Sequence, residues 1–149
     1  MIVTLATQAD IADWLALREA LWPKHGTDAH LSDIAGLLAS ADETANFIAR
    51  SDTGAAIGLA EAALRHDFVN GCKTSPAAFL EGIYVDPAHR RHGVARQLVA
   101  AVEGWAVARG ISEFASDAAL DNLDSHSMHT ALGFQETQRV VYFRKLLQP

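Results

Sequence analysis

The middle of the chain reads Val85-Asp86-Pro87-Ala88-His89-Arg90-Arg91-His92-Gly93-Val94-Ala95. It follows Ala77 to Val85, a stretch that is apolar on both faces and therefore typical of a central strand. A long amphipathic helix comes next and ends at Gly110. The start of a helix binds anions through free N–H groups and its positive dipole end, and a glycine such as Gly93 lets a bulky phosphate approach the backbone. The segment predicts a pyrophosphate site, and the alternative is a solvated basic turn.

The sequence on either side predicts alternating strands and helices. A capping-box spacing at Thr7 to Asp10 starts the first helix, which Pro23 ends. The other elements are strands at about 3–6, 45–50, 55–65 and 113–116, helices from about 28 and at 122–132, and a final pair of strands within 134–147. This order is that of a mixed α/β sandwich in one domain, residues 1–149.

The composition narrows the classes of function. Twelve Lys and Arg residues against eighteen Asp and Glu give a net charge of −6, which disfavours nucleic-acid binding and favours a cationic small molecule. No apolar run is long enough to span a membrane, and the N-terminus lacks signal-peptide features. The single cysteine, Cys72, excludes a Cys-based zinc site and has no evident His partner for nucleophilic catalysis. We expect a cytoplasmic protein without a membrane partner.

Two motifs carry a family resemblance. Val85 to Ala95 fits V-x-P-x-x-R-x-x-G-x-A, so the chain resembles the GCN5-related N-acetyltransferases (GNAT), and Ala131-Leu132-Gly133-Phe134 resembles their later helix-to-strand junction. The resemblance implies a single-domain α/β GNAT fold with a mixed, mostly antiparallel central sheet flanked by helices. It also implies acetyl-CoA as co-substrate and no metal. By this resemblance, the acetyl and pantetheine arm of acetyl-CoA would bind the backbone of Ile83, Tyr84 and Val85, and Asn122 would reach the CoA arm. The pyrophosphate of acetyl-CoA would bind the segment made of Arg91, His92, Gly93, Val94, Ala95 and Arg96.

Further segments resemble one subgroup, the aminoglycoside 6′-N-acetyltransferases of the chromosomal Gram-negative type. They are Leu21-Trp22-Pro23-Lys24-His25, Val69-Asn70-Gly71, Phe79 to Val85 and Ala115-Ser116-Asp117. This resemblance implies direct transfer of acetyl to the 6′-amine of an aminoglycoside in a ternary complex, antibiotic resistance and a homodimer. The alternatives are acetylation of another amine (a polyamine, a peptide N-terminus or a lysine) and a non-catalytic CoA-binding sensor.

Two carboxylates are candidates for holding the amine. Glu81 interrupts an apolar strand, where a buried carboxylate is uncommon unless it is paired or employed. We expect it to bind the amine and accept its proton, and the alternatives are a structural salt bridge or an exposed strand edge. Asp117 ends a short strand, where α/β sheets present ligands, although Asp is also a common turn residue. The subgroup resemblance makes Asp117 a partner of the same amine.

Other candidates concern the sugar rings of the acceptor. Trp22 suits a flat wall for a sugar, and the alternative is a core position. The subgroup resemblance places Trp22 and His25 in the acceptor site. His66 stands where some relatives have an aromatic ring, and an exposed histidine at a strand end is the alternative. Glu136 and Gln138 share one face of the predicted late strand, and which of them contacts the acceptor stays open.

The leaving thiolate of CoA benefits from a proton donor. The wider family usually has tyrosine four residues before the glycine of the helix-to-strand junction, and this position is His129 here. Histidine donates a proton near neutral pH, so His129 is a candidate acid, and an ordinary helical histidine is the alternative. His126 and His129 lack a clear third ligand for a metal.

Overall fold

The structure is a computed structural model that describes residues 1–148. It forms two compact units, Met1–Asp117 and the residues after Asp117. The first unit holds strands β1 (Ile2–Leu5), β2 (Thr44–Arg50), β3 (Ala56–Arg65), β4 (Ala77–Val85) and β5 (Phe114–Ser116), with helices α1 (Ile11–Leu21), α2 (Thr27–Ala39) and α3 (Val94–Ala108). The second unit holds α4 (Leu123–Ala131).

The five strands form one sheet in the order β1-β2-β3-β4-β5. The first three pairings are antiparallel, and β5 pairs with β4 in parallel. A parallel neighbour requires a crossover connection, which α3 supplies between β4 and β5. The expected α/β fold with a mixed, mostly antiparallel sheet and flanking helices is confirmed.

Each face of the sheet has its own hydrophobic core. On the face that carries α3, alternate strand residues such as Phe47 and Ala60 pack against Leu98 and Val102. On the opposite face, Ile48 and Leu59 pack against Trp14 of α1 and Ile34 of α2. Successive residues of a strand point to opposite faces, so one run of apolar residues fills both cores.

The predicted start of the first helix is confirmed. The Thr7 hydroxyl accepts a hydrogen bond from the backbone N–H of Ala9 at 3.3 Å, and the Asp10 carboxylate accepts one from the backbone N–H of Thr7 at 2.8 Å. A 3₁₀ turn over Gln8–Asp10 then leads into α1. The capping box thereby satisfies N–H groups that the first turn leaves without partners.

The predicted strands within residues 134–147 are wrong, because the structure assigns no strand to residues 134–148. The apolar pattern that suggested them is real. The large apolar side chains of this segment are nevertheless exposed, and they are Val140, Val141, Tyr142, Phe143, Leu146 and Leu147. A strand also needs a partner edge for its backbone hydrogen bonds, which an alternating pattern does not supply.

Across the described residues 1–148, none of the helices is long and apolar enough to cross a membrane.

Candidate active site

A cleft of about 440 Å³ opens on the sheet face that carries α1 and α2. Its only aromatic lining residue is Trp22, which follows α1. Its polar lining residues come from both helices and from three strands, and they are Arg18, Ser32, Asp33, Asn46, Glu61 and Glu81. A concave site with a few converging polar groups is the usual form of a small-molecule site. Three of these polar residues are acidic and one is an arginine, so the lining keeps an excess of negative charge that favours a cation.

Glu81 reaches the cleft because β4 carries a bulge. Glu61 of β3 pairs with Gly82, and the next residue, Ala62, pairs with Leu80, so Glu81 has no partner residue on β3. An extra residue of this kind redirects the strand and its side chains. Leu80 belongs to the core under α3, whereas Glu81 lines the cleft on the other face.

The carboxylate of Glu81 forms a two-point ion pair. Arg65 donates from Nε to Oε1 at 3.0 Å and from Nη2 to Oε2 at 2.8 Å. The side chain of Glu81 is 35% exposed. The bulge thus places the side chain at the cleft rather than in the core, and the carboxylate is only partly buried. The salt-bridge alternative describes its contacts, and its position in the cleft agrees with a role in binding.

Asp117 lies beside Glu81 by strand register. The parallel pairing of β4 with β5 joins Leu80 to Ser116, so the next residues along the two chains are Glu81 and Asp117. Asp117 is exposed and directly follows β5. The register thus leads toward both predicted carboxylates, of which Glu81 lines the cleft and Asp117 is not among its lining residues.

One edge of β4 is left without a strand partner. β3 pairs along β4 as far as Val85, but β5 pairs only with Ala78–Leu80 in the described chain. From Glu81 to Tyr84, no residue of β5 pairs with β4, so this part of the edge is open to an extended ligand, whereas the carbonyl of Val85 is bonded to Arg90. An extended chain can bind such an edge as an added strand does.

The predicted anion loop follows this edge directly. Arg91 has φ +63° and Gly93 has φ +80°, and Gly93 is the residue that precedes α3. Arg90 donates from Nε to the carbonyl of Val85 at 2.9 Å, which ties the loop to the end of β4. Left-handed backbone at two close positions turns the chain tightly in front of the first N–H groups of α3. This geometry is suited to a phosphate group.

The sequence matches the acetyltransferase (GNAT) family over residues 10–134. The chain belongs to the GNAT family. Among curated relatives, an aminoglycoside N(6′)-acetyltransferase type 1 of Acinetobacter genomosp. 13 is 53% identical, over 97% of this chain and 98% of the relative. The enzyme of the same name from Salmonella enteritidis is 49% identical, over 97% and 99%.

Solved GNAT structures agree closely with this fold. The aminoglycoside 6′-N-acetyltransferase AAC(6′)-IG from Acinetobacter haemolyticus superposes with a TM-score of 0.93 at 49% identity, over 99% of this chain and 100% of the other. AAC(6′)-Iy in complex with the bisubstrate analogue CoA-S-monomethyl-acetylneamine gives a TM-score of 0.93 at 47% identity, over 98% of both chains. The resemblance to the GNAT family and to its aminoglycoside 6′-N-acetyltransferases is confirmed.

The two other predicted acceptor residues of the first unit are exposed histidines with carboxylate partners. His25 Nε2 lies 2.7 Å from Oδ2 of Asp33, which lines the cleft. His66 directly follows β3, and its Nε2 lies 2.6 Å from Oε2 of Glu43. His25 is thus joined to the GNAT cleft through Asp33, whereas His66 is not among the residues that line the cleft.

Two candidates lie on α4 of the second unit. Asn122 accepts a hydrogen bond from the backbone N–H of Ser125 at 3.2 Å and so caps the helix. His129 is half-buried, and its Nδ1 lies 2.7 Å from the carbonyl oxygen of Ser125. A carbonyl only accepts, so Nδ1 carries a proton and donates it there.

Glu136 and Gln138 are both exposed in the second unit, and the strand face that they were expected to share is absent. Glu136 forms an ion pair with Arg139. The hydrogen bond from Arg139 holds the pKa of Glu136 below its ordinary value, so the carboxylate is charged at neutral pH.

Sequence reasoning missed the polar residues in the floor of the cleft. Arg18 and Glu61 are 5% and 4% exposed, and Arg18 Nη1 donates to both oxygens of Glu61 at 2.7 Å. A signal was present in the sequence. Arg18 stands four residues after Trp14 on the apolar side of α1, and Glu61 interrupts the apolar strand β3. Two opposite charges, each alone in an apolar segment, indicate a buried ion pair.

One cluster in the described chain has the spacing of metal ligands. His25, His30 and Asp33 each present a ligand atom within 4.8 Å of the others. Arg18 occupies this cluster, because its Nε donates to Nδ1 of His30 at 3.1 Å and its Nη2 donates to Asp33 at 2.7 Å. A guanidinium at the same atoms repels a divalent cation. The cluster is a hydrogen-bond network.

Proposed function

We propose that this chain is an acetyl-CoA-dependent aminoglycoside 6′-N-acetyltransferase. The observation that carries the proposal is the position of Glu81, in an acidic cleft and at the start of the unpaired edge of β4. An amine held by this carboxylate lies next to an edge that accommodates an extended acyl carrier. The similarity over nearly the whole chain to aminoglycoside 6′-N-acetyltransferases, one of them in complex with a bisubstrate analogue, supports this assignment.

The co-substrate binds along β4 and at the start of α3 in this proposal. The pantetheine arm binds backbone groups of Ile83, Tyr84 and Val85 along the edge that β5 leaves without a strand partner, apart from the Val85 carbonyl, which Arg90 occupies. The pyrophosphate binds N–H groups at the start of α3, and the residues concerned are Arg91, His92, Gly93, Val94, Ala95 and Arg96. Asn122 contacts the CoA arm through the part of its amide that does not cap α4.

The aminoglycoside binds in the acidic cleft. Trp22 forms a flat wall against one sugar face, and Glu81 with Asp117 holds the 6′-ammonium. His25 and His66 are polar contacts at the periphery. Glu136 or Gln138 contributes a further contact, and which of the two does so is decided by substituting each in turn.

The transfer is a direct attack in a ternary complex. Glu81, with Asp117 nearby, takes a proton from the bound ammonium, directly or through water. The amine nitrogen attacks the thioester carbonyl, so the N–C bond forms and the C–S bond breaks. The nitrogen is positively charged after the attack and releases its second proton to water as the tetrahedral intermediate collapses. Backbone N–H groups near Ile83 to Val85 stabilise the negative charge on the carbonyl oxygen. The CoA thiolate takes a proton from His129.

A Glu81→Ala variant tests whether the chain is a catalyst. We expect kcat with an aminoglycoside to fall by roughly 10²- to 10⁴-fold, while the Kd for CoA stays unchanged. Glu103→Ala is the matched control, since Glu103 is an exposed carboxylate of α3. Unchanged turnover in Glu81→Ala would contradict the proton-acceptor role. A wild-type chain that binds CoA but acetylates no amine would be a sensor.

An acceptor competition assay tests the substrate class. Aminoglycosides, a polyamine, a peptide N-terminus and a lysine peptide compete for one limiting amount of acetyl-CoA, and mass spectrometry identifies the products. We expect acetylated aminoglycoside to dominate. Preferential acetylation of a polyamine or peptide would contradict the proposal while leaving the GNAT fold in place.

Further proposals concern the domain organisation, the oligomeric state, the location and the partners of the protein. We propose one acetyltransferase domain over residues 1–149, a homodimer, a cytoplasmic location, no nucleic-acid or membrane partner, and aminoglycoside resistance as the consequence for the cell. The exposed apolar side chains between Val140 and Leu147 support the homodimer, because such a patch is typical of an interaction surface. Light scattering after size-exclusion chromatography tests it, and a monomer at micromolar concentration would contradict it.

A further inference from the structure

The side chain of Trp22 lies against a backbone position that only glycine fits. A Cβ added to Gly82 would lie 2.6 Å from each of two atoms of the Trp22 ring. Carbon atoms this close repel strongly, so any side chain at position 82 forces the ring to move. Gly82 is the neighbour of Glu81, and the wall of the cleft therefore depends on a residue that has no side chain of its own.

Arg18 lies on the Trp22 ring and is itself held rigidly. Its guanidinium carbon is 4.8 Å from the ring centroid, within the range of a cation–π interaction. Its donors are bonded to Glu61, to Asp33 at 2.7 Å and to His30 at 3.1 Å. A buried guanidinium with three partners has one orientation, which limits the positions that the ring can take.

His30 connects this network to the backbone of Trp22. The His30 side chain is fully buried, and its Nε2 lies 3.0 Å from the Trp22 carbonyl oxygen. Because Arg18 can only donate, Nδ1 of His30 accepts its bond, and the single ring proton is on Nε2. His30 therefore donates from Nε2 to the carbonyl of Trp22, and the hydrogen-bond geometry fixes its tautomer.

We infer that His30 and Gly82 are positioning residues that set the affinity for the acceptor by holding Trp22, without touching either substrate. His30 fixes the backbone of Trp22, Arg18 limits its ring on one side, and Gly82 admits the ring beside β4. The inference rests on the proposed function only in assigning the acceptor to this cleft. The expected effect concerns the affinity for the acceptor and not that for acetyl-CoA, because Trp22 does not form the unpaired edge of β4 from Ile83 onward.

Three substitutions separate the contacts. His30→Gln keeps a donor at the place of Nε2, whereas His30→Asn keeps an acceptor for Arg18 but loses the donor to Trp22. Gly82→Ala displaces the Trp22 ring without removing any hydrogen-bonding group of the network, so it tests the inference even if a His30 variant fails to fold. Gly104→Ala is the matched control, because a Cβ at Gly104 meets nothing within 4 Å.

Steady-state kinetics with tobramycin and acetyl-CoA is the first measurement. We expect His30→Asn to raise the KM for tobramycin by roughly 2- to 12-fold, the factor that one lost hydrogen bond corresponds to. Gly82→Ala should also raise this KM, because its Cβ displaces the Trp22 ring. The KM for acetyl-CoA should stay unchanged, and His30→Gln should restore the KM for tobramycin. A parallel rise in both KM values, or equal KM values for tobramycin in His30→Asn and wild type, would overturn the inference.

The indole N–H signals in ¹⁵N NMR spectra provide a test that does not require turnover. The signal of Trp22 is identified by its loss in Trp22→Phe. We expect it to shift in His30→Asn and Gly82→Ala but not in His30→Gln or Gly104→Ala, and an unmoved signal in the first two would overturn the inference. If wild type acetylates no aminoglycoside, the proposed function fails, while this spectrum still decides whether His30 and Gly82 hold Trp22.

Discussion

Replacing Arg18 with methionine removes the cation from the floor of the cleft and leaves its buried partner behind. The side chains of Arg18 and Glu61 are 6% and 5% exposed. Without Arg18, the Glu61 carboxylate keeps one hydrogen bond, from Nε1 of Trp14 at 2.8 Å. Breaking one side of a buried pair costs about 3–5 kcal/mol, since the remaining charge is neither solvated nor paired. We expect the free energy of unfolding to fall by that amount.

Urea denaturation followed by circular dichroism measures this loss. The urea concentration at the midpoint of unfolding should fall by roughly 1–3 M for a chain of this size. All variants are compared at one protein concentration, because association of the chain adds to its stability. Arg50→Met is the control. Arg50 pairs with Asp10 and Asp13, and its side chain is 27% exposed, so its loss should cost about 1 kcal/mol or less.

A double variant separates the charge from the packing. In Arg18→Met with Glu61→Gln, the amide oxygen still accepts from Trp14, and no buried charge remains. We expect this variant to recover at least about 1 kcal/mol relative to Arg18→Met alone. A loss of less than about 1 kcal/mol in Arg18→Met, or no recovery in the double variant, would refute the account of a buried ion pair.

Three further predictions follow from local contacts. Burial raises the pKa of the Cys72 thiol, and the neighbouring Glu113 carboxylate raises it further. Iodoacetamide should therefore modify Cys72 more slowly at pH 8 than it modifies free cysteine, and Glu113→Gln should accelerate the modification. The hydrogen bond from the backbone N–H of Thr7 holds the pKa of Asp10 below its ordinary value, so the charged carboxylate stabilises the fold. In urea titrations, wild type should therefore be more stable than Asp10→Asn at pH 6, and this difference should disappear as the pH falls through the lowered pKa. Gly104→Ala should raise the free energy of unfolding by roughly 0.5–1 kcal/mol, because alanine at this open position of α3 limits the unfolded chain more than glycine does; a lower stability would contradict this reasoning.

The elements that carry the CoA site could be predicted from local sequence. The observed bounds of β4, Ala77–Val85, are those predicted, and α3 starts directly after Gly93 as expected. Both elements are long, strongly apolar and bounded by glycine or proline, and the local pattern alone determines them. Glu81 could also be selected as a candidate, because it interrupts an apolar strand, whereas Asp117 is selected through the subgroup resemblance.

The missed features depend on pairing between distant segments. The bulge at Glu81 follows from the register of β3 against β4, which no property of β4 alone specifies. The Arg18–Glu61 pair joins a helix to a strand 43 residues away. The apolar pattern near Val141 and Phe143 is typical of a strand, but whether it becomes one depends on a partner edge, which the local sequence does not determine.

The central claim is that the cleft presents the 6′-amine of an aminoglycoside to acetyl-CoA. Its most direct test compares the rate of CoA release with two aminoglycosides: tobramycin, which carries a 6′-amine, and a compound that carries a 6′-hydroxyl instead. NMR then locates the acetyl group on the product. We predict turnover of tobramycin with the acetyl on the 6′-nitrogen and no turnover of the hydroxyl compound. Equal turnover of both compounds, or an acetyl group on another amine of tobramycin, would contradict the claim.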